Sequence, residues 1–167
     1  MTLALMAGLT ALALSGIAGA QTAGPSGLPA PPEETKTFAK GKGVDASGGK
    51  FKFSARDLDK DPMTDEAKGS FSFSAQEERE KFFLKSEVQC LRVVAGRAHL
   101  IAEVTESNFL SPGDFVGVTA TDTGARGGEG DTFRFVRFKG SAECGVPDEG
   151  DPIQKGNIRV EGGTASW

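Results

Sequence analysis

The segment that most constrains the fold is 115–138, which has the pattern of a β-hairpin. Apolar residues alternate with polar ones after Phe115, a glycine-rich stretch follows, and the alternation resumes at Thr132. Alternation with a period of two on both sides of a turn is the signature of two antiparallel strands. The inward side chains are predicted to be Val116, Val118, Ala120, Phe133 and Phe135. Because Phe138 has the opposite parity, we expect a bulge or the end of the strand near Val136.

Five further stretches alternate in the same way, at 49–56, 69–75, 82–94, 98–106 and 156–162, so we predict about seven strands in total. On the longest of them, Phe82, Leu84, Val88 and Cys90 are predicted to share one face. No stretch has a convincing helical period. The pattern therefore predicts an all-β fold with mainly antiparallel strands, arranged as a small barrel or a sandwich.

The ends of the chain differ in composition from this β region. Residues 1–20 contain an apolar run that ends in Ala18-Gly19-Ala20, which is typical of a cleaved signal peptide. Residues 21–48 are rich in Pro, Gly, Ala, Ser and Thr, and predict a disordered linker. The β domain is then 49–162, with a tail at 163–167. We expect a secreted, periplasmic or cell-surface protein with no membrane span after cleavage. The alternative is an uncleaved N-terminal anchor.

Charge and cysteine content narrow the possible partners. The net charge is −4, and we see no basic cluster in the sequence, so we predict that the chain does not bind nucleic acid. Cys90 and Cys144 are the two cysteines, and export favours a disulfide between them. Such a bridge would stabilise the fold by about 4 kcal/mol in the chain-entropy model. The alternative is two separate buried thiols.

Several segments together resemble a known bacterial family. They are, in order, GKFKF, KGSFSF, VQCLRVVAGRAHL, TATDTGARGGEGDTFRF, a second cysteine and GNIRV. This succession, over about 49–162, resembles the post-choice-of-anchor-protein domain, a small secreted bacterial module. The chain departs from the family at 125–128, where that family usually has a Glu-Pro-Gly run. The resemblance implies export and an all-β fold, and it implies no known activity.

The acidic, glycine-rich turn of the central hairpin is the strongest candidate for a metal site. Asp122, Glu129 and Asp131 could offer carboxylate oxygens to Ca²⁺, which prefers oxygen ligands. The alternative is structural, with Asp122 accepting hydrogen bonds from backbone amides and Asp131 capping the returning strand. Because the spacing matches no known calcium loop, we predict that the chain has no cofactor and that the turn is structural.

Three other groups of polar residues were considered as sites. The acidic residues of 57–66 are predicted to form a solvated loop, since the glycine and terminal glutamate of an EF-hand are missing; they are Asp57, Asp59, Asp61, Asp65 and Glu66. His99, the only histidine, is predicted to be a surface residue. Arg134, Arg137 and Lys139 form a basic edge that is predicted to prevent aggregation, with a partner site as the alternative.

No catalytic residue is predicted, because no nucleophile, base or metal set converges in the sequence. The chain has twelve Phe and no Tyr, and the phenylalanines fall mostly on inward positions. The predicted function is that of a secreted, non-enzymatic β-domain, a structural or interaction module with an unknown cell-envelope or extracellular partner. The alternative is a small barrel that binds an apolar ligand in a phenylalanine-lined cavity.

Overall fold

The computed structural model of this chain describes residues 36–58, 66–138, 144–145 and 149–163, leaving aside the side chains of Arg126 and Phe138. These residues form one antiparallel sheet, which confirms the all-β prediction. Its nine strands are β1 (Phe38–Val44), β2 (Lys50–Asp57), β3 (Glu66–Glu77), β4 (Glu80–Val94), β5 (Arg97–Ser107), β6 (Phe115–Thr121), β7 (Thr132–Phe138), β8 (Asp151–Pro152) and β9 (Lys155–Glu161).

Strands that follow one another in the chain pair side by side from β1 to β8, and β9 returns to pair with β1. The sheet curls into a half-barrel, which brings β7 over β2 although four strands separate them in the sheet. The clearest sign is a ring stack between Phe51 of β2 and Phe133 of β7, whose centroids are 3.8 Å apart. Phe73 of β3 and Phe135 of β7 make a second contact, with centroids 4.5 Å apart.

The core lies on the concave face of the sheet, as the alternation predicts. Val116, Val118 and Ala120 of β6 are fully buried there. Large side chains of β2, β3, β4, β5 and β9 join them, namely Phe51, Phe53, Phe71, Phe73, Leu84, Val88, Leu100, Val104 and Ile158. Burial of these apolar side chains, at about 25 cal/mol per Å² removed from water, is the main stabilising contribution.

The ordered region begins earlier than predicted, because β1 occupies part of the stretch that was read as a linker. The low hydrophobicity of FAKGKGV has a structural cause. A Cβ atom on Gly41 would lie 2.6 Å from the Phe53 ring, and one on Gly43 would lie 2.9 Å from the Phe51 ring. The apolar volume beneath β1 is therefore supplied by β2, so the strand carries little of its own.

The prediction that Cys90 shares a face with Val88 is wrong. The register between β4 and β5 shifts between Val88 and Cys90, so that Val88 pairs with Ala102 and Cys90 pairs with Ile101. A β-bulge of this kind reverses the alternation of all residues that follow it. Val88 faces the main core, whereas Cys90 faces the opposite side of the sheet with Ile101 and Cys144.

The remaining predictions about segments have mixed outcomes. β7 pairs with β6 without a register shift as far as Phe138, so the prediction of a bulge or strand end near Val136 is wrong. The two-residue β8 was not predicted. The predicted signal peptide, the linker before residue 36, and residues 164–167 of the tail lie outside the described residues. In the part of the chain that is described, we find no helix with the length and apolarity that crossing a bilayer requires.

Candidate functional site

Asp131 lies at the entry to β7 and is almost completely buried, with 1% of its surface exposed. One carboxylate oxygen accepts hydrogen bonds from the backbone N–H of Thr123 at 3.1 Å and from its hydroxyl at 3.0 Å. The other oxygen accepts the backbone N–H of Ile158 at 2.8 Å. One carboxylate therefore ties the turn between β6 and β7 to strand β9.

Asp122 makes a parallel connection at the end of β6. One of its oxygens accepts the N–H of Gly124 at 2.7 Å, which closes a local turn, and the other accepts the N–H of Val160 at 3.0 Å. The N–H groups of Ile158 and Val160 point away from β1, toward the other side of β9. The two aspartates satisfy these backbone donors, which would otherwise lack partners at the strand edge.

The same turn brings the backbone close to β9. Gly128 has φ = +77°, and a Cβ atom there would lie 2.5 Å from the carbonyl oxygen of Gly156. A side chain at this position would therefore push β9 away from the turn.

These contacts are those of a structural turn. Glu129 is exposed, and its backbone carbonyl accepts the Thr123 hydroxyl at 2.7 Å. The oxygens of Asp122 and Asp131 face N–H and O–H donors, as the structural alternative predicts. Throughout the described ranges, no group of three or more His, Cys, Asp or Glu side chains is arranged to hold a metal ion.

The disulfide between Cys90 and Cys144 is present, with an S–S distance of 2.02 Å, and this confirms the predicted bridge. It lies in a small apolar cluster on the convex side of the sheet, with Ile101 and Phe115. The Sγ atom of Cys144 lies 3.5 Å from the carbonyl oxygen of His99. His99 is half-buried on the outward side of β5, so it is less exposed than predicted.

The other predicted groups do not assemble into a site among the described residues. Asp57 ends β2 and Glu66 begins β3, while Asp59, Asp61 and Asp65 lie outside the described residues. On β7, Arg137 forms an exposed ion pair with Asp114 at 3.0 Å, and Arg134 is exposed. Lys139 also lies outside the described ranges.

A basic surface covers the convex side of β9, β1, β2 and β3. We call it the basic face and define it by eight exposed side chains: Lys40, Lys42, Lys50, Lys52, Arg56, Lys68, Lys155 and Arg159. At the paired outward positions of these four strands the acidic residues are Glu161, which forms an ion pair with Arg159, and Glu66, which pairs across strands with Cys90. Of the eight, Arg159 alone takes part in an ion pair between described residues.

Several of these cations are placed directly opposite one another. Lys42 pairs across strands with Lys52, and Lys40 pairs with Arg159. A third pair, Arg56 with Lys68, joins β2 and β3. Side chains at such positions have Cβ atoms about 4.5–5.5 Å apart, and like charges there are destabilising. The Lys40–Arg159 repulsion is offset by the Phe38 ring and by Glu161, whereas no ion pair between described residues offsets the other two pairs.

A shallow groove of about 320 Å³ opens on the same side of the sheet, across β2, β3 and β4. Its polar rim includes Lys50, Lys52, Ser72, Ser74 and Lys85. Lys85 is held by Glu106, 2.6 Å away on β5. The groove thus places ammonium groups and serine hydroxyls around an apolar lining of Phe51, Phe73, Phe83 and Leu84.

The sequence contains no basic cluster, whereas the folded molecule has a basic face. The lysines alternate with apolar or small residues, as in AKGKG and KFKFSAR, so no basic run exists in the sequence. Pairing of β1 with β2 and β9 then brings residues more than 100 positions apart into one surface. The signal in the sequence was this alternation on neighbouring strands.

Comparison of the chain with protein-family models, with curated proteins and with solved structures found no match.

Proposed function

We propose that this chain is an exported, non-enzymatic interaction module that binds a partner at the cell exterior through its basic face. The observation that carries the proposal is the concentration of eight exposed cations with two acidic neighbours, Glu66 and Glu161, in a protein whose net charge is −4. Uncompensated surface charge of one sign attracts partners of the opposite sign and accelerates their encounter. The repulsive pairs of this surface are consistent with selection for binding.

The packing of the interior favours this function over binding of an apolar ligand. The space between β2, β3 and β7 is occupied by phenyl rings, with the Phe133 ring lying among those of Phe51, Phe53 and Phe71 at centroid distances of 3.8, 6.3 and 6.1 Å. A ligand entering there would have to displace these rings from the core. Binding of a partner to the surface requires no displacement of the core rings.

Two further features support export and the family resemblance. A disulfide persists in oxidising compartments outside the cytosol, and Cys90 is bridged to Cys144. The half-barrel, with Asp122 and Asp131 linking β9 to the turn between β6 and β7, favours the small barrel over the sandwich. We therefore retain resemblance to the post-choice-of-anchor-protein domain as part of the proposal.

Fractionation of the parent cells tests this function. The full chain and the charge-reversed variant K42E/K52E would be compared, with R134E/R137E as a control that changes the charge equally on β7. We expect the wild-type chain and the control outside the cytosol and attached to the envelope, and the face variant released into the medium. The proposal would be contradicted by finding the protein in the cytosol with its cysteines as free thiols. It would also be contradicted if all three chains were retained equally at the envelope.

A further inference from the structure

We infer that the partner of the basic face is an anionic polysaccharide, a linear sugar polymer bearing carboxylate or sulfate groups. This inference rests on the proposed function, since it names the partner of the same surface.

The cations are spaced in a regular array. Neighbouring strands lie about 4.8 Å apart, and successive outward side chains on one strand lie about 6.6 Å apart. One row across the sheet runs from Asn157 through Lys42, Lys52 and Ser72 to Lys85. The adjacent row runs from Arg159 through Lys40, Ser54 and Ser70 to Glu87, so its cations lie on β9 and β1. A polymer with one anionic group per repeat can meet several of these cations at once, which makes many weak contacts additive.

The side-chain types suit carboxylate and sulfate groups on a hydroxyl-rich chain. Six of the eight cations are lysines, which act as flexible point charges without the fixed geometry of a guanidinium. Serine hydroxyls stand between them at Ser54, Ser70, Ser72 and Ser74. A hydroxyl both donates and accepts hydrogen bonds, so these serines match the alternating donors and acceptors of sugar hydroxyls.

Single-stranded nucleic acid fits this surface less well, because it is held by bases stacked on open aromatic rings. Two aromatic residues lie beside the cations: Phe83 in the groove is half-buried, and the ring of Phe38 on β1 is already engaged by cations. Lys40 Nζ and Arg159 Cζ each lie 5.6 Å from the centre of that ring.

A lipid bilayer also fits less well. Of the described residues, the large apolar side chains that are exposed are Leu58, Phe109 and Val136, and none belongs to the basic face. No apolar anchor is therefore present on that face to enter the headgroup region. Because the sheet curls away from the cations on both sides, a flat membrane would meet only part of the surface.

The test is a titration of the full chain with dextran sulfate and with polygalacturonate, with neutral dextran as the uncharged control. Titration calorimetry at several salt concentrations would compare wild type, K42Q/K52Q and the matched variant R134Q/R137Q. We expect K42Q/K52Q to bind the charged polymers at least tenfold more weakly, with a salt slope reduced by about two. Neutral dextran should not bind, and R134Q/R137Q should behave as wild type.

Thermal unfolding of the same variants separates loss of binding from loss of folding. Because K42Q/K52Q removes a repulsive pair, its melting temperature should equal or exceed that of wild type. The inference is overturned if R134Q/R137Q loses as much affinity as K42Q/K52Q, or if neither charged polysaccharide binds.

The competing partners are tested in the same way. They are a single-stranded oligonucleotide and vesicles that contain anionic lipid, each at the same concentration of charge as the polysaccharides. Tighter binding of either one would also overturn the inference. If the purified polymers fail to bind while K42E/K52E is still released from the envelope, the interaction function stands and the polysaccharide assignment alone fails.

Discussion

At the scale of single residues, Asp131 has the most consequential environment. Its carboxylate is buried, and it accepts three hydrogen bonds from two segments that are far apart in the chain. A buried carboxylate is tolerated only when its oxygens are well supplied with donors. Removing it would leave the buried N–H group of Ile158 and the part-buried N–H group of Thr123 without their acceptor.

We predict that Asp131→Ala lowers the free energy of unfolding by about 1–3 kcal/mol, because the buried N–H of Ile158 loses its acceptor and the turn loses its link to β9. Guanidinium denaturation of the purified domain measures this change. Glu129→Ala, in the same turn but with an exposed side chain, should change stability by less than about 0.5 kcal/mol. Equal effects of the two substitutions would show that the carboxylate of Asp131 does not support β9.

A second prediction at this scale concerns Gly41, which faces the core beneath β1. Gly41→Val places a Cβ atom 2.6 Å from the Phe53 ring, so the ring or the strand must move. We expect a loss of about 1–3 kcal/mol from overpacking. The control is Lys42→Val, which puts the same side chain on the exposed side of β1 and should be nearly neutral in chemical denaturation. Tolerance of Gly41→Val would mean that the ring does not fill this space.

At the scale of elements, the hairpin of β4 and β5 has an unfavourable residue in its tight turn. Ala95 has φ = +48° and is followed by Gly96 with φ = +75°. Two successive positive φ angles define a turn in which Asn-Gly is the preferred sequence. Alanine pays a steric cost in this conformation that asparagine largely avoids.

Ala95→Asn should therefore stabilise the domain by about 0.5–1 kcal/mol, visible as a raised melting temperature. Ala95→Val, with a β-branched side chain at the same exposed position, should destabilise it. If the two variants shifted the melting temperature in the same direction, the positive φ angle at Ala95 would not limit the stability of the turn.

At the scale of the whole molecule, the disulfide joins Cys144, which follows β7, to the middle of the sheet on β4. The bridge closes a loop of 54 residues that contains three of the nine strands, β5, β6 and β7. Constraining this length of chain acts mainly on the unfolded state. The stabilisation is therefore expected to be larger than that of any single surface contact.

Replacing both cysteines by alanine should lower the free energy of unfolding by about 4 kcal/mol in the chain-entropy model. Denaturation curves of the double variant and of the oxidised wild type measure the difference. Wild-type protein treated with a reductant should approach the stability of the variant. Free thiols in protein recovered from outside the cell would refute the bridge itself.

The sequence by itself determined the local features of this protein. Alternation of Phe51, Phe53, Phe71 and Phe73 with polar residues requires strands with one buried face, and Ala95-Gly96 marks a reversal between two such strands. These features depend on neighbouring residues alone, so they could be predicted without knowledge of the fold. The two cysteines, with the predicted export, favoured a bridge over two separate thiols, and the disulfide is present.

Other features were decided only by the tertiary structure, because they depend on residues far apart in the chain. β1 contains glycines at its inward positions because rings of β2 fill the space beneath them. A one-residue bulge in β4 places Cys90 on the convex side of the sheet. Asp131 acquired its role from Ile158, 27 residues away. The basic face exists because lateral pairing places β9 beside β1, which no pattern within either strand specifies.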